Sequence, residues 1–107
     1  MPVSAVNTFR LRSGVTAEEF ERFSADLDRP TCLSFDVVLG FEVYLVDGEE
    51  SGTDVVEVMT VSSWPEWERV RDSSPELKPV VQRFDELVEP GSVATLLTRK
   101  TTLPQEI

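Results

Sequence analysis

The sequence predicts an α+β fold whose elements run strand, helix, strand, strand, helix, strand. Three observations carry this. Gly40–Val61, GFEVYLVDGEESGTDVVEVMTV, sets two apolar strand-like runs around a polar loop, Asp47–Asp54, and reads as a long-looped hairpin. Leu77, Val80, Val81, Phe84, Leu87 and Val88 recur at i, i+3, i+4, i+7 spacing, the signature of a helix with one buried face. Val3–Arg12 and Val93–Arg99 have strand composition and bracket the rest.

In chain order, Val3–Arg12 alternates, with Ala5, Asn7, Phe9 and Leu11 on one face and Val6, Thr8, Arg10 and Arg12 on the other. Ser13-Gly14 breaks it. Thr16 and Glu19 have capping-box spacing, and Val15 with Phe20 fits a hydrophobic staple across that helix start. Phe20, Phe23 and Leu27 give the helix its apolar face, and Asp28-Arg29-Pro30 is expected to end it, because proline disfavours the helical region for its predecessor. Thr31–Phe35 is left as an unassigned linker. Val37–Val46 is the first hairpin strand, with Gly40 suggesting a bulge, and Val55–Val61 is the second.

Ser63 and Glu66 again have capping-box spacing and open a short helix whose inward residues are Trp67 and Val70. Asp72–Pro75 is a break. Pro79 sits awkwardly near the start of the long helix, which either begins near Leu77 or bends there. Pro90-Gly91 stops that helix, Val93–Arg99 is the last strand, and Thr101–Ile107 reads as a tail. With right-handed crossovers this order gives the ferredoxin-like βαββαβ arrangement: a four-stranded antiparallel sheet with the helices on one face.

At 107 residues the chain is expected to form one domain, residues 1–107. Acidic residues outnumber basic ones by 20 to 10, a net charge of −10, which repels nucleic-acid phosphates and anionic membranes. The first residues lack the basic-then-apolar pattern of a signal peptide, no apolar run approaches a membrane span, and one cysteine suits a reducing cytoplasm. The sequence has no histidine, which removes proximal-histidine haem ligation, the usual zinc sites and any Ser-His or Cys-His pair. No metal and no cofactor are expected, and an acid or base must be a carboxylate, Tyr, Lys or Cys.

Two helices cover one face of such a sheet, yet the hairpin strands are apolar on both. Phe41, Val43 and Leu45 alternate with Tyr44 and Val46, and Val55, Met59 and Val61 with Val56 and Val58. A strand apolar on both sides is normally buried on both, so a second copy packed sheet to sheet is expected, enclosing a cavity. The competing reading is a solvated face with scattered apolar residues. Polar members of the strands are the pocket candidates: Glu57 and Tyr44 to move protons, and Thr8, Arg10, Glu42 and Arg99, with Trp67 from the short helix, to hold substrate. A carboxylate at Glu57 needs a partner, and Arg10 is the expected one if the first and third strands are neighbours. Glu57 reads as a salt-bridged or exposed ladder residue or as a carboxylate of raised pKa beside a ligand. Cys32, near Asp28 and Arg29, reads as an activated thiolate or as a packed small hydrophobe. Trp64 and Trp67 read as a ligand roof or as core.

FEVYLVDG, then VVEVMTV, then PELKPVVQRFDELVE together resemble the RedY-like (HapK-like) proteins, over about Val6 to Arg99. The resemblance implies a homodimeric α/β barrel of the ferredoxin-like superfamily, acting on reactive indole- or pyrrole-derived intermediates of bisindole and prodiginine pathways. It transfers no catalytic motif residue by residue. Within that superfamily, haem-degrading, chlorite-dismutating and polyketide-cyclase types use a histidine absent here. Cofactor-free monooxygenases use Asn, Trp and Tyr, types that Asn7, Tyr44, Trp64 and Trp67 supply. The leading expectation is a cofactor-independent tailoring enzyme that encloses a small aromatic ligand. The alternatives are a non-catalytic sequestering or carrier protein, a monooxygenase-like enzyme, and an interaction module without a pocket.

Overall fold

The computed structural model describes residues 1–101. Its four strands, β1 (Val3–Phe9), β2 (Val38–Leu45), β3 (Val55–Val61) and β4 (Ala94–Thr98), form one antiparallel sheet in the order β2-β3-β1-β4. This is the ferredoxin-like topology expected from the element order. β3 has the expected bounds, and the β2–β3 register shifts between Val38 and Gly40, where a bulge was expected. β1 ends at Phe9, short of Arg12, because the following backbone pairs elsewhere. The Glu89 N–H donates to the Arg10 carbonyl at 2.9 Å, and the Arg12 N–H to the Leu87 carbonyl at 2.8 Å.

The first helical segment, α1 (Ala17–Phe23), starts at a complete capping box. The Glu19 N–H donates to Thr16 Oγ1 at 3.1 Å, and the Thr16 N–H donates to Glu19 Oε1 at 3.2 Å. The helix does not stop at Asp28-Arg29-Pro30. It widens into a π-helical turn over Ser24–Asp28 and continues as α2 (Arg29–Leu33), taking in part of the unassigned linker. Pro30 sits in the first turn of α2, where a missing N–H is tolerated, and the Arg29 N–H reaches back five residues to the Ser24 carbonyl. Proline here begins a segment.

The second hairpin crossover leads into α3 (Trp64–Ser73). Its N-cap is half of the expected box: the Glu66 N–H donates to Ser63 Oγ at 3.4 Å, while the Glu66 carboxylate pairs with Arg69. A 3₁₀ turn, Pro75–Leu77, leads into α4 (Lys78–Leu87), so Pro79 lies in the first turn, the first of the two options its position left open. Gly91 at φ +79° makes the turn into β4, a left-handed conformation suited to glycine. The expected tail, Thr101–Ile107, lies outside the described residues beyond its first position.

The helices pack on the sheet face that carries Ala5, Phe9, Phe41, Val55, Met59 and Val61. Phe9 stacks on Phe20 (ring centroids 5.3 Å) and meets Phe84 edge-on (5.1 Å). The opposite face holds Ser4, Val6, Thr8, Glu42, Tyr44, Val56, Val58, Thr60 and Leu96, and among the described residues no element covers it. Tyr44 is 51 % exposed and Leu96 67 %.

Candidate functional site

Glu57 occupies the middle of β3, opposite Asn7 of β1 and Val43 of β2. Strand alternation places it with Val55, Met59 and Val61, on the helix-covered face, where it is 4 % exposed. Its Oε2 finds no hydrogen-bond partner among the described residues. A second carboxyl, Asp28, approaches from the helical layer at the end of the π-turn and is 5 % exposed. The Cys32 thiol, one helical turn on, donates to Asp28 Oδ1 at 3.5 Å.

Both carboxyls line one cavity of about 360 Å³ between sheet and helices. Its walls are mainly apolar: Phe41 and Met59 from the sheet, Trp64 and Trp67 from α3, Phe84 from α4. Asn7 and Thr95 add polar groups, and the Thr95 hydroxyl donates to Asn7 Oδ1 at 2.6 Å. Arg71 is the one basic residue among the lining side chains. It is exposed and already engaged, with Nε 3.2 Å from Asp72 Oδ1 and Nη2 3.9 Å from Glu68 Oε2. Among the described residues no set of three or more His, Cys, Asp or Glu side chains is arranged to hold a metal ion.

Burial pushes the Glu57 carboxyl up to about 8, with the Asp28 charge pushing the same way. Burial also lifts Asp28, to about 6, against the hydrogen bond from Cys32 and the Arg29 charge, which pull it down. Near neutral pH Glu57 therefore keeps its proton while Asp28 is largely ionised. One cavity then holds a proton donor beside a proton acceptor, which is the equipment of general acid–base chemistry. Burial, then Asp28, drives the Cys32 thiol well above its ordinary range. That is the packed-hydrophobe reading of Cys32, and the activated thiolate does not hold.

The residues expected to share a pocket divide into three places. Glu57 and Trp67 meet on the helix side, in the cavity. Tyr44, Glu42 and Thr8 lie on the opposite, uncovered face, where the Tyr44 hydroxyl donates to Glu42 Oε2 at 2.8 Å and that bond raises its pKa. Arg10 and Arg99 lie beyond the ends of β1 and β4. The expected Arg10–Glu57 pairing is not made, although β1 and β3 are neighbours. Arg10 is three residues past the position opposite Glu57, and its guanidinium lies 3.8 Å from Glu89 instead. Within one chain the carboxylate and the tyrosine are thus on opposite sides of the sheet.

Asp28 is the site residue that sequence reasoning missed. The signal for it was the helical stripe Phe20, Phe23, Ser24, Asp28 and Cys32, visible only if the helix runs through Pro30.

Fold and site together define a ferredoxin-like α+β protein with a buried carboxyl pair in a cavity between sheet and helices. The profile of the family described as REDY-like protein HapK matches residues 3–101, and the chain belongs to that family. Its structure is similar to that of HapK from Hahella chejuensis, with a TM-score of 0.80, 20% identity and 98% of each chain covered. It is also similar to a dimeric protein of unknown function and ferredoxin-like fold from Bacteroides fragilis (TM-score 0.70, 17% identity, 92% of this chain and 96% of that one). A hydroxynitrile lyase from Passiflora edulis shares the fold (TM-score 0.69, 15% identity, 96% and 97%). No curated protein matches the sequence. Among the described residues no helix is long and apolar enough to cross a membrane.

Proposed function

We propose that this protein binds a small aromatic intermediate of secondary metabolism in the helix-side cavity and directs its conversion by proton transfer at Glu57. The observation that carries this reading is a buried carboxyl, one oxygen of it unpartnered among the described residues, in the wall of a ligand-sized, mainly apolar space. An orphaned buried carboxyl costs stability, and a ligand group that pairs with it recovers that cost on binding. Trp67 and Trp64 hold the flat body of the ligand, Glu57 acts as acid, and exclusion of water keeps the reactive species on one course. The substrate class, indole- or pyrrole-derived, rests on the family resemblance. No cofactor takes part, and the site of action is the cytoplasm.

The working unit in this reading is one ferredoxin-like domain paired with a second copy across the uncovered sheet face. Val6, Val58 and Leu96 would be hidden there, and Tyr44, Glu42 and Thr8 would line whatever space the two sheets enclose. Arg10 and Arg99, beyond the strand ends, do not line the helix-side cavity and take no part in holding the ligand there.

The test is incubation of the protein with indole- and pyrrole-bearing intermediates, following tryptophan fluorescence for binding and chromatography for conversion. Binding that persists in Glu57→Gln while conversion falls at least tenfold supports the enzyme. Saturation at one ligand per chain with no turnover favours the sequestering or carrier reading instead. Unchanged conversion in Glu57→Gln would sink the assignment of Glu57.

A further inference from the structure

We propose that the group this cavity is built to receive is a protonated nitrogen base — an amine, imine or amidine on a flat apolar body — held between Glu57 and Asp28. The inference rests on the cavity being the ligand site and adds the charge of the ligand. Two carboxyls, each more than nine-tenths buried, face one space, and no basic side chain inside it neutralises them. Glu57 Oε2 is buried and has no hydrogen-bond partner among the described residues, and the Glu57 side chain lines that space. Arg71 is exposed and committed to Asp72 and Glu68, while Arg29 donates through Nε to Ser24 Oγ at 3.0 Å. An anion entering here would meet the Asp28 charge, which Arg29 offsets only in part, since burial still raises the Asp28 carboxyl. A neutral ligand would leave the cost of burying the Asp28 charge in place. A cation relieves it.

The walls suit the same occupant. Trp64, Trp67, Phe41 and Phe84 present ring surface to the cavity, and aromatic faces attract a desolvated cation. The net charge of −10 draws cations toward the protein and repels anions.

Proton bookkeeping follows from the groups that face Glu57. These are Asp28 and Cys32 from the helical layer, the uncharged Asn7 and Thr95 from the sheet, and Arg71 from α3. In the free protein Glu57 holds a proton near neutral pH, its carboxyl lying at about 8. Entry of a ready-made cation ionises Glu57 and releases that proton to solvent. Entry of the free base takes the proton directly, the O–H bond breaking as the N–H bond forms. In both cases the bound state is the carboxylate facing the cation.

The experiment uses three isosteric probes, benzamidine, benzamide and benzoate, titrated calorimetrically into the full chain between pH 6 and 8. The expected result is benzamidine binding at least tenfold tighter than benzamide, with benzoate weakest. Benzamidine affinity should rise with pH across that window, and proton release should appear as a dependence of the heat on buffer. Glu57→Gln and Asp28→Asn, each checked for folding by circular dichroism, should reduce the preference to under threefold. Glu50→Gln, an equal charge change on the exposed hairpin loop, should leave it intact. Benzamide or benzoate binding as tightly as benzamidine overturns the inference and leaves the cavity as the ligand site. A preference that survives Glu57→Gln and Asp28→Asn overturns it too. Failure of all three probes to bind at millimolar concentration overturns the cavity reading itself.

Discussion

Asn7 stands directly opposite Glu57 in the β1–β3 pairing, yet its side-chain oxygen accepts a hydrogen bond from Thr95 at 2.6 Å, on the far side from the carboxyl. The cross-strand position closest to the buried acid is therefore uncharged and tied to β4. Asn7→Asp would put a further negative charge on that face, where opposed like charges destabilise. The expected outcome is a loss of roughly 1–3 kcal/mol in denaturant unfolding at pH 8. The loss should shrink at pH 5, where Glu57 is protonated.

The raised carboxyls give stability a direction with pH. An acid whose folded pKa lies above its unfolded value binds its proton more tightly in the native state, so native stability falls as pH rises between the two values. For Glu57 the window runs from its ordinary 4.5 to about 8, and for Asp28 from 3.8 to about 6. Glu57→Gln should therefore be more stable than the parent at pH 8, by roughly 2–5 kcal/mol at most. That advantage should disappear toward pH 4.5. Urea unfolding at several pH values checks it, and a flat difference between the two proteins would contradict it.

Cys32 is buried and donates its thiol hydrogen to a carboxylate, and both features disfavour the thiolate. Reaction with a disulfide reagent at pH 8 should be at least 100-fold slower in the folded protein than in urea. Labelling at the unfolded rate would contradict the burial.

Leu96, Val6 and Val58 form an apolar strip on the face that no helix covers among the described residues. Leu96→Glu should convert a particle of twice the chain mass into a single chain in light scattering. Far-ultraviolet circular dichroism should be unchanged, because Leu96 packs against no helix.

Much of the fold was legible because local chemistry and long-range packing agree there. Thr16 and Glu19 cap a helix in any context, and Val55–Val61 is apolar at nearly every position, so its ends were marked by the polar residues around it. Pro30 misled for a physical reason. Proline breaks a regular α-helix by removing one N–H and crowding the preceding turn, but a π-turn just before it moves the hydrogen bonding away from that position. The site was half legible. Alternation alone puts Glu57 with Val55 and Met59, but because both faces of β3 are apolar, it could not say which face meets the helices. Asp28 depended on the helix that Pro30 was taken to end. Its meeting with Glu57 joins residues 29 positions apart in the sequence, across two layers, which no local pattern encodes.

The π-turn at Ser24–Asp28 works as an angular setting for the cavity. Such a turn amounts to one residue more than a regular helix needs. Removing one residue from it would rotate the following segment by about 100° about the helix axis. Asp28 and Cys32 would swing away from Glu57 while Phe20 and Phe23 kept their seats in the core. The charge lining the cavity can thus be changed by a single-codon deletion in a helix, with the strand pairing of the sheet left as it is.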